Sequence, residues 1–328
     1  MRYAFIYHHR LDWPIRVQCR VLRVSVAGYH EHFARRRSLS RRRHLSDQAL
    51  LAHIRAVHAE HAGAYGWPRV WRHLRAQGVG VGKRRVQRLM QEHGIRARGK
   101  RRFRIVTTDS GHALPVAPNL LNRKFAVEAP NRVWVGDITF IATEEGWLFL
   151  ALVIDLFSRR IVGWSLREDL HRELAISALK MAWLRRGPGT TAQLMFHSDR
   201  GSQYASHEFR QLLKGCGITA SMSRKGNCWD NAPSESVFAS LKVERLHGQR
   251  FATMQQAREA VLNWVQWYNH GRLHSALKYV SPMQFEQQHM STKVGVGKVG
   301  KQEPAFQLFQ RHGGGGGGGV SSVMGYGF

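Results

Sequence analysis

The stretch from Val133 to the helix beginning near Asn231 constrains the fold most. Three strand-like runs follow one another closely: Val133–Ala142, Trp147–Asp155 and Arg160–Ser165. The first two are separated by the turn Thr-Glu-Glu-Gly. A helix with Leu170, Leu174, Ile176 and Leu179 comes next. After the Gly-Pro-Gly turn at 187–189 the pattern gives a strand, Gln193–Ser198, a helix from Ser206 to about Lys214, a short strand, Ile218–Met222, and a long helix from about Asn231. Three strands in succession, then alternating helix and strand, bury their apolar faces as a mixed five-stranded sheet with flanking helices, an α/β architecture.

Three acidic residues stand out against that frame. Asp137 lies inside the apolar run WVGDITF, where a carboxylate is expensive to bury unless it is paired or bound to metal. By strand alternation it shares a face with Val135 and Thr139. Asp199 ends the strand LMFHS, and the carboxyl end of a sheet strand is a favourable place for a site. Glu235 falls in the first turn of the helix near Asn231, from which a carboxylate can project toward the sheet edge. Carboxylates on a strand centre, a strand end and a helix start can converge on hard cations such as Mg²⁺. Taken singly, each has an ordinary alternative: a satisfied core polar group for Asp137, a turn former for Asp199, a favourable charge at a helix N-terminus for Glu235.

The rest of the chain points to a polyanionic partner. Its 328 residues carry 50 Lys and Arg against 22 Asp and Glu, a net +28, and residues 1–104 hold 25 of the bases and five of the acids. Neutralising phosphates with release of counterions is what such a surplus does well. Residues 1–44 end in the arginine runs Arg35–Arg37 and Arg41–Arg43 and read either as a solvated linker or as a basic arm or helix on a DNA backbone. Residues 45–97 read as three helices. The first, 46–61, is capped by Ser46, with Leu50, Leu51, Ile54 and Val57 in one stripe. The second starts near Trp67 and is broken by the glycines of 78–82. The third, from Lys83, turns Val86, Leu89 and Met90 inward. Helix, glycine turn and basic helix make a helix-turn-helix pattern, which nominates Lys83, Arg84, Arg85 and Arg88 as DNA contacts; a purely structural three-helix bundle has the same outline. Residues 98–127 read as a linker, 128–288 as the α/β core, and 289–328, with seven consecutive glycines at Gly313–Gly319, as a disordered tail. Cys19, Cys216 and Cys228 form no CxxC pair, which excludes a disulfide framework or a Cys-based zinc site. His58 and His61 read as solvent or phosphate contacts rather than ligands. The longest apolar run, Trp147 to Leu156, is about half a membrane span, so a soluble, cytoplasmic protein with no membrane partner is expected.

The strings VWVGDITFI, DLFSRRIVGW, FHSDRGSQYAS, SRKGNCWDNAPSESVFASLK and YNHGRLHSALKYVSPMQFE closely resemble the transposases of bacterial insertion sequences of the IS-three family, relatives of retroviral integrases. So does the upstream AYGWPRVWRHL and the segment to HGIRA. Between Asp199 and Glu235 lie 35 residues, the spacing of that family's D,D-35-E pattern. The resemblance covers roughly residues 15–288 and implies a ribonuclease-H-like catalytic core, the order of elements read above. It implies Asp137, Asp199 and Glu235 as catalytic ligands of Mg²⁺ or Mn²⁺, with two ions expected. It implies Arg224, Asn231 and Lys242 as DNA contacts, Ser223–Asn231 as a mobile loop over the site, and His197, Arg200 and Gln203 as supports of Asp199. Asp155 reads as structural, and Tyr268, Asn269, Arg272 and His274 as braces of the core. The zinc module of retroviral integrases has no counterpart among the cysteines, so no zinc is expected. The implied chemistry is metal-dependent 3′-end cleavage and strand transfer on DNA carrying terminal inverted repeats and on target DNA. The implied assembly is a homo-oligomer, with an upstream-frame partner or fusion. A catalytically inactive DNA-binding remnant and a ribonuclease H or junction nuclease are the rival readings.

Overall fold

Strand alternation decides which face each residue of the sheet takes. The computed structural model describes residues 1–37, 45–99, 113–189 and 193–294. Its sheet is built from β1 (Val133–Thr143), β2 (Gly146–Asp155), β3 (Ile161–Arg167), β4 (Met195–Ser198) and β5 (Thr219–Met222) in the spatial order β3-β2-β1-β4-β5. β1, β2 and β3 pair antiparallel, while β4 and β5 run parallel to β1. This is the mixed five-stranded, ribonuclease-H-like arrangement implied by the element order. Asp137 pairs across from Leu152, and Val135 from His197.

Each sheet face has its own helical layer. On one side Trp134, Val153 and Phe196 pack against α7 (Arg172–Arg186), α8 (Ser202–Ala205) and α9 (His207–Gly215). On the other, Val135, Leu150 and Leu152 meet α10 (Ala232–Leu241) and α11 (Met254–His270). α11 buries Ala257, Ala260, Val261, Trp264, Val265 and Tyr268 at helical spacing. Two glycines set the spacing of the first layer. A Cβ on Gly136 would lie 2.3 Å from the Phe196 ring, and one on Gly163 would lie 2.2 Å from the Ala178 carbonyl oxygen. Leu170, expected on α7, precedes it and is exposed; the helix's buried face is Leu174, Ala175, Ala178, Leu179, Ala182 and Trp183.

Buried charge ties the far ends of this unit together. The Asp155 carboxylate accepts from the Asn131 amide and from Arg186, and Arg186 also pairs with Glu286 on α12 (Pro282–Val294). Burial raises the Asp155 pKa despite these partners. Burial acts the same way on Glu286, but Arg186, Ser158 and Arg160 outweigh it and hold that carboxyl low. Asn269 brackets Ile161 through both backbone groups, and Arg272 forks onto Glu244, which also accepts from the Trp264 indole. The described part of the segment expected as a linker is held against this core. The Ser221 hydroxyl accepts from the amides of Leu120 and Leu121, and Leu121 is buried. The tail expected from residue 289 begins inside α12, and its glycine run lies outside the described residues.

Residues 1–98 form a second compact unit. The N-terminal stretch, expected as an arm or a helix, is three helices: α1 (Arg2–His8), α2 (Ile15–Val21) and α3 (Val26–Arg37). They close on a small core of Ile6, Cys19 and Tyr29. The side chains of Arg35–Arg37 and all of Arg41–Arg43 lie outside the described residues. α4 (Asp47–Glu60), α5 (Trp67–Ala76) and α6 (Lys83–Glu92) follow, capped at the start by Ser46 accepting from the Ala49 amide. Pro68 occupies a first-turn position of α5 and Gly78 the left-handed turn after it. Among the described residues no helix is long and apolar enough to cross a membrane.

Candidate active site

β1, β4 and α10 each bring one carboxylate to the same region. Asp137 stands on β1 on the Val135 and Thr139 face, part-exposed, with one oxygen accepting from the Ile138 amide at 2.8 Å. Asp199 follows the last residue of β4, and its carboxylate accepts from the Gly201 amide at 3.0 Å. A Cβ on Gly201 would lie 3.1 Å from that carboxylate, so a side chain there would crowd the turn. Glu235 sits exposed in the first turn of α10, placed by Pro233 at the helix start.

Their proximity shows in the charge balance. Burial first, then the Asp199 carboxylate, hold the Asp137 carboxyl well above the usual carboxylate range; Glu235 adds to this, while the Ile138 amide and Lys242 oppose it. Burial also raises Glu235. Lys242 is shifted down by its own burial and partly restored by Asp137, and its ammonium lies 5.8 Å from the centre of the Phe140 ring. A cleft lined by Thr139, Phe140, Leu170, Asp199, Gly201, Gln203 and Tyr204 opens beside the acids. The donor set is all-oxygen and holds one cation, Lys242, against three anions, which suits a hard divalent ion. The three carboxylates do not close to mutual ligand spacing. Among the described residues, the one group of three potential ligands within 4.8 Å of one another is elsewhere, at Glu60, His61 and His73. A two-ion site needs only pairs of carboxylates around each ion.

The other nominated residues are distributed less simply. His197 is turned away from Asp199: its ring is buried, Nδ1 lies 2.9 Å from the Ser221 hydroxyl, and burial pulls its pKa to about 4 with Asp230 opposing. Arg200 donates to the Ser223 carbonyl and so fastens the Asp199 turn to the loop after β5. Gln203 lines the cleft but spends its amide on the Leu170 carbonyl. Asn231 is buried and accepts from Ser234, which withdraws it from the surface a DNA contact requires. Arg224 is exposed on a loop anchored by Asp230, whose carboxylate takes Arg224, Arg123 and Asn119 together. Those bonds, led by Arg224, hold Asp230 well below the usual range.

In the helical unit, Lys83 and Arg84 are exposed, whereas Arg85 and Arg88 both bond to Asp47, and Arg88 also to Glu92. Asp47 is the first residue of α4, and its two arginines lock α6 to that helix. His61, expected to face solvent, is buried, and His58 bonds to the Arg96 carbonyl. Two contributors escaped the sequence reading. Tyr204 is buried next to Asp137 and Asp199, its phenol pushed well up by burial and by both acids. Asp230 had no signal beyond its place in GNCWDN.

Comparison with known proteins gives a consistent result. Integrase core domain models match residues 127–228 and 235–290, and an HTH-like domain model matches residues 45–103. The chain is 40% identical over 297 residues to the transposase InsF for insertion sequence IS3A of Escherichia coli K12, covering 89% of this chain and all of that one. It is 42% identical over 272 residues to a 31 kDa protein of insertion element IS600 from Shigella sonnei, covering 83% of this chain and 98% of that one. Among solved structures, the simian T-cell lymphotropic virus intasome in complex with the PP2A regulatory subunit B56 gamma aligns with 76% of this chain and 78% of that one, at 17% identity and a TM-score of 0.42. So loose a likeness adds no weight beside the sequence matches.

Proposed function

The chain belongs to the transposases of the IS3 family of insertion sequences, DDE polynucleotidyl transferases that act in DNA transposition, and from that premise we propose a particular chemistry and division of labour for its residues. The reaction is hydrolysis of one strand at the element end, in which water attacks the phosphodiester and leaves a 3′ hydroxyl and a 5′ phosphate; that hydroxyl then attacks a second phosphodiester in line, forming a new P–O bond as the 3′ oxygen of the attacked strand departs. Asp137, Asp199 and Glu235 hold two Mg²⁺ ions, for which Mn²⁺ substitutes. When bound, the ions supply positive charge at the attacking and leaving oxygens of the displacement. The observation that carries this reading is the approach of three carboxylates from β1, β4 and α10 to one region, with the Asp137 carboxyl displaced upward by burial and then by its acidic neighbours.

The protein's own groups do the positioning. The Ile138 and Gly201 amides fix one oxygen each of Asp137 and Asp199, so these carboxylates meet the cations without first losing rotamer freedom. Lys242, on the Glu235 helix and electrostatically coupled to Asp137, is placed to receive a DNA phosphate beside the acids. Arg224 extends the basic surface from the loop anchored by Asp230. Lys83 and Arg84 on the exposed side of α6 grip the terminal inverted repeats, and Arg85 and Arg88 keep α6 in register through Asp47. Target DNA, a homo-oligomeric assembly on the two element ends, and an upstream-frame partner complete the proposed machinery, in the cytoplasm and at the nucleoid.

The test is a cleavage and strand-transfer assay on duplexes bearing the element's ends, with Mg²⁺ or Mn²⁺, using this chain alone and fused to its upstream partner. Metal-dependent 3′-end product should appear and vanish in Asp199→Asn. Glu235→Gln should retain duplex binding within about twofold and lose cleavage by at least about 10²-fold. End binding without product from the fusion would instead identify a catalytically inactive DNA-binding remnant. Loss of binding together with cleavage in Glu235→Gln would make that residue structural.

A further inference from the structure

The one close cluster of metal-ligating side chains among the described residues lies in the helical unit, outside the carboxylate site. Glu60 ends α4, His61 follows it, and His73 stands at the end of the second turn of α5. His61 Nε2 and His73 Nδ1 share a hydrogen bond at 3.2 Å, which a metal would have to replace. Glu60 carboxylate oxygens lie 3.9 Å from His61 Nε2 and 3.7 Å from His73 Nε2. In a tetrahedral site with metal–nitrogen bonds of about 2.0–2.1 Å, neighbouring ligand atoms stand about 3.3 Å apart, so the two rings already have ligand spacing. The exposed Glu60 side chain has to turn toward them, its ligand oxygen lying within 4.8 Å of both ring nitrogens. The rings are held in place: His61 is 8% exposed and stacks on the fully buried Tyr65 with centroids 4.0 Å apart.

A second observation concerns the opposite nitrogen of the His73 ring. The His73 Nε2 atom is buried and has no hydrogen-bond partner, a costly state for an imidazole nitrogen unless something else satisfies it. The Glu60 carboxylate faces that atom from beyond hydrogen-bond distance. Two imidazoles and one carboxylate, with a fourth position open to water, are a donor set suited to a borderline cation and poorly suited to Mg²⁺.

We propose that Glu60, His61 and His73 form a Zn²⁺ site that staples the end of α4 to α5 and fixes the angle from which α6 is presented. His73 lies twelve residues beyond His61 and matches no compact ligand spacing, which is why weighing His58 with His61 gave no metal. Glu60, His61 and His73 all lie in the helical unit, and none belongs to the carboxylate site.

The test uses the full-length protein stripped with EDTA, loaded with one equivalent of ZnCl₂ and desalted before metal analysis, with Co²⁺ as a spectroscopic substitute. The wild type should retain one zinc and shift its melting temperature upward by about 3 °C or more. Its Co²⁺ form should show the strong visible bands of a nitrogen-containing tetrahedral site. His73→Gln should lose both signals, Glu60→Gln should weaken retention by about tenfold, and Asp199→Asn should leave them unchanged. Glu60 is exposed enough for its variant to fold normally, so the comparison stands even where His73→Gln perturbs the unit. Equal zinc retention by the wild type and both variants, no retention by any of them, or a Co²⁺ spectrum lost only in Asp199→Asn would overturn the proposal.

Discussion

Replacing Asp137 by Asn should stabilise the cation-free protein while abolishing its chemistry. In the folded chain the Asp137 charge is opposed by burial and by Asp199 and Glu235, and favoured by the Ile138 amide and Lys242. Two like charges about 6 Å apart at an effective dielectric of about 20 repel by about 3 kcal/mol. Exposure of Glu235 screens its share, Lys242 returns one attraction of similar size, and the Asn oxygen can still accept from Ile138. A net gain of about 1–3 kcal/mol remains, which for a unit of this size is about 3–8 °C in melting temperature. The pH dependence follows from linkage. Between the ordinary carboxylate pKa near 4 and the raised folded value, the folded protein holds a proton that the unfolded chain has released. The wild type therefore loses stability as pH rises through that window, and the variant lacks this slope. Mg²⁺ at ten times its dissociation constant adds about 1.4 kcal/mol to the wild type alone, narrowing the gap. The assay is differential scanning fluorimetry at pH 5 and pH 8, in EDTA and in Mg²⁺. A variant that melts below the wild type in EDTA at pH 8 would refute the reasoning, because the Asp137 carboxylate would then be stabilised by its surroundings.

Three further outcomes are expected. Arg272→Met should destabilise the core unit by about 3–5 kcal/mol in urea melts, because it leaves Glu244, 6% exposed, with a buried charge and no guanidinium; Glu244→Gln in the same background should recover part of the loss. Lys83→Ala with Arg84→Ala should weaken binding to the element ends and flatten the slope of log affinity against log salt by about two, whereas Arg85→Ala should change that slope less and mainly loosen α6 from α4. Gly136→Ala should cost about 1–3 kcal/mol, since its methyl would lie 2.3 Å from Phe196; a melt unchanged from wild type would mean that the ring gives way freely behind Gly136.

What could be read from the sequence was whatever depended on strand alternation and helical period. The face of Asp137 followed from Val135 and Thr139, and the core of α4 from Leu50, Leu51, Ile54 and Val57. α1 and α2 have seven residues each, too few for an apolar period to register, so Ile6, Cys19 and Tyr29 gave no sign of meeting. Long-range polar partners were equally invisible. Nothing in the local sequence says that Asp47 takes Arg85 and Arg88, that Ser221 receives the amides of Leu120 and Leu121, or that His197 leans on Ser221 instead of Asp199. Asn231 illustrates the same limit: a polar residue in a glycine-containing loop reads as exposed, yet the turn of 3-10 helix at Cys228–Asn231 buries it against Ser234.

Downstream of Glu235, α10 passes into a wider π-helical turn, Lys242–Leu246, closed by the His247 amide on the Lys242 carbonyl. The helix ends with this turn, since His247 is in extended backbone. Lys242 and Glu244, two residues apart within it, face opposite sides. One short segment therefore carries both the cation coupled to Asp137 and the carboxylate that turns inward to Arg272 and Trp264. The rod that bears Glu235 is tethered at its far end, and loosening Glu244 from Arg272 would free the same backbone that carries Lys242.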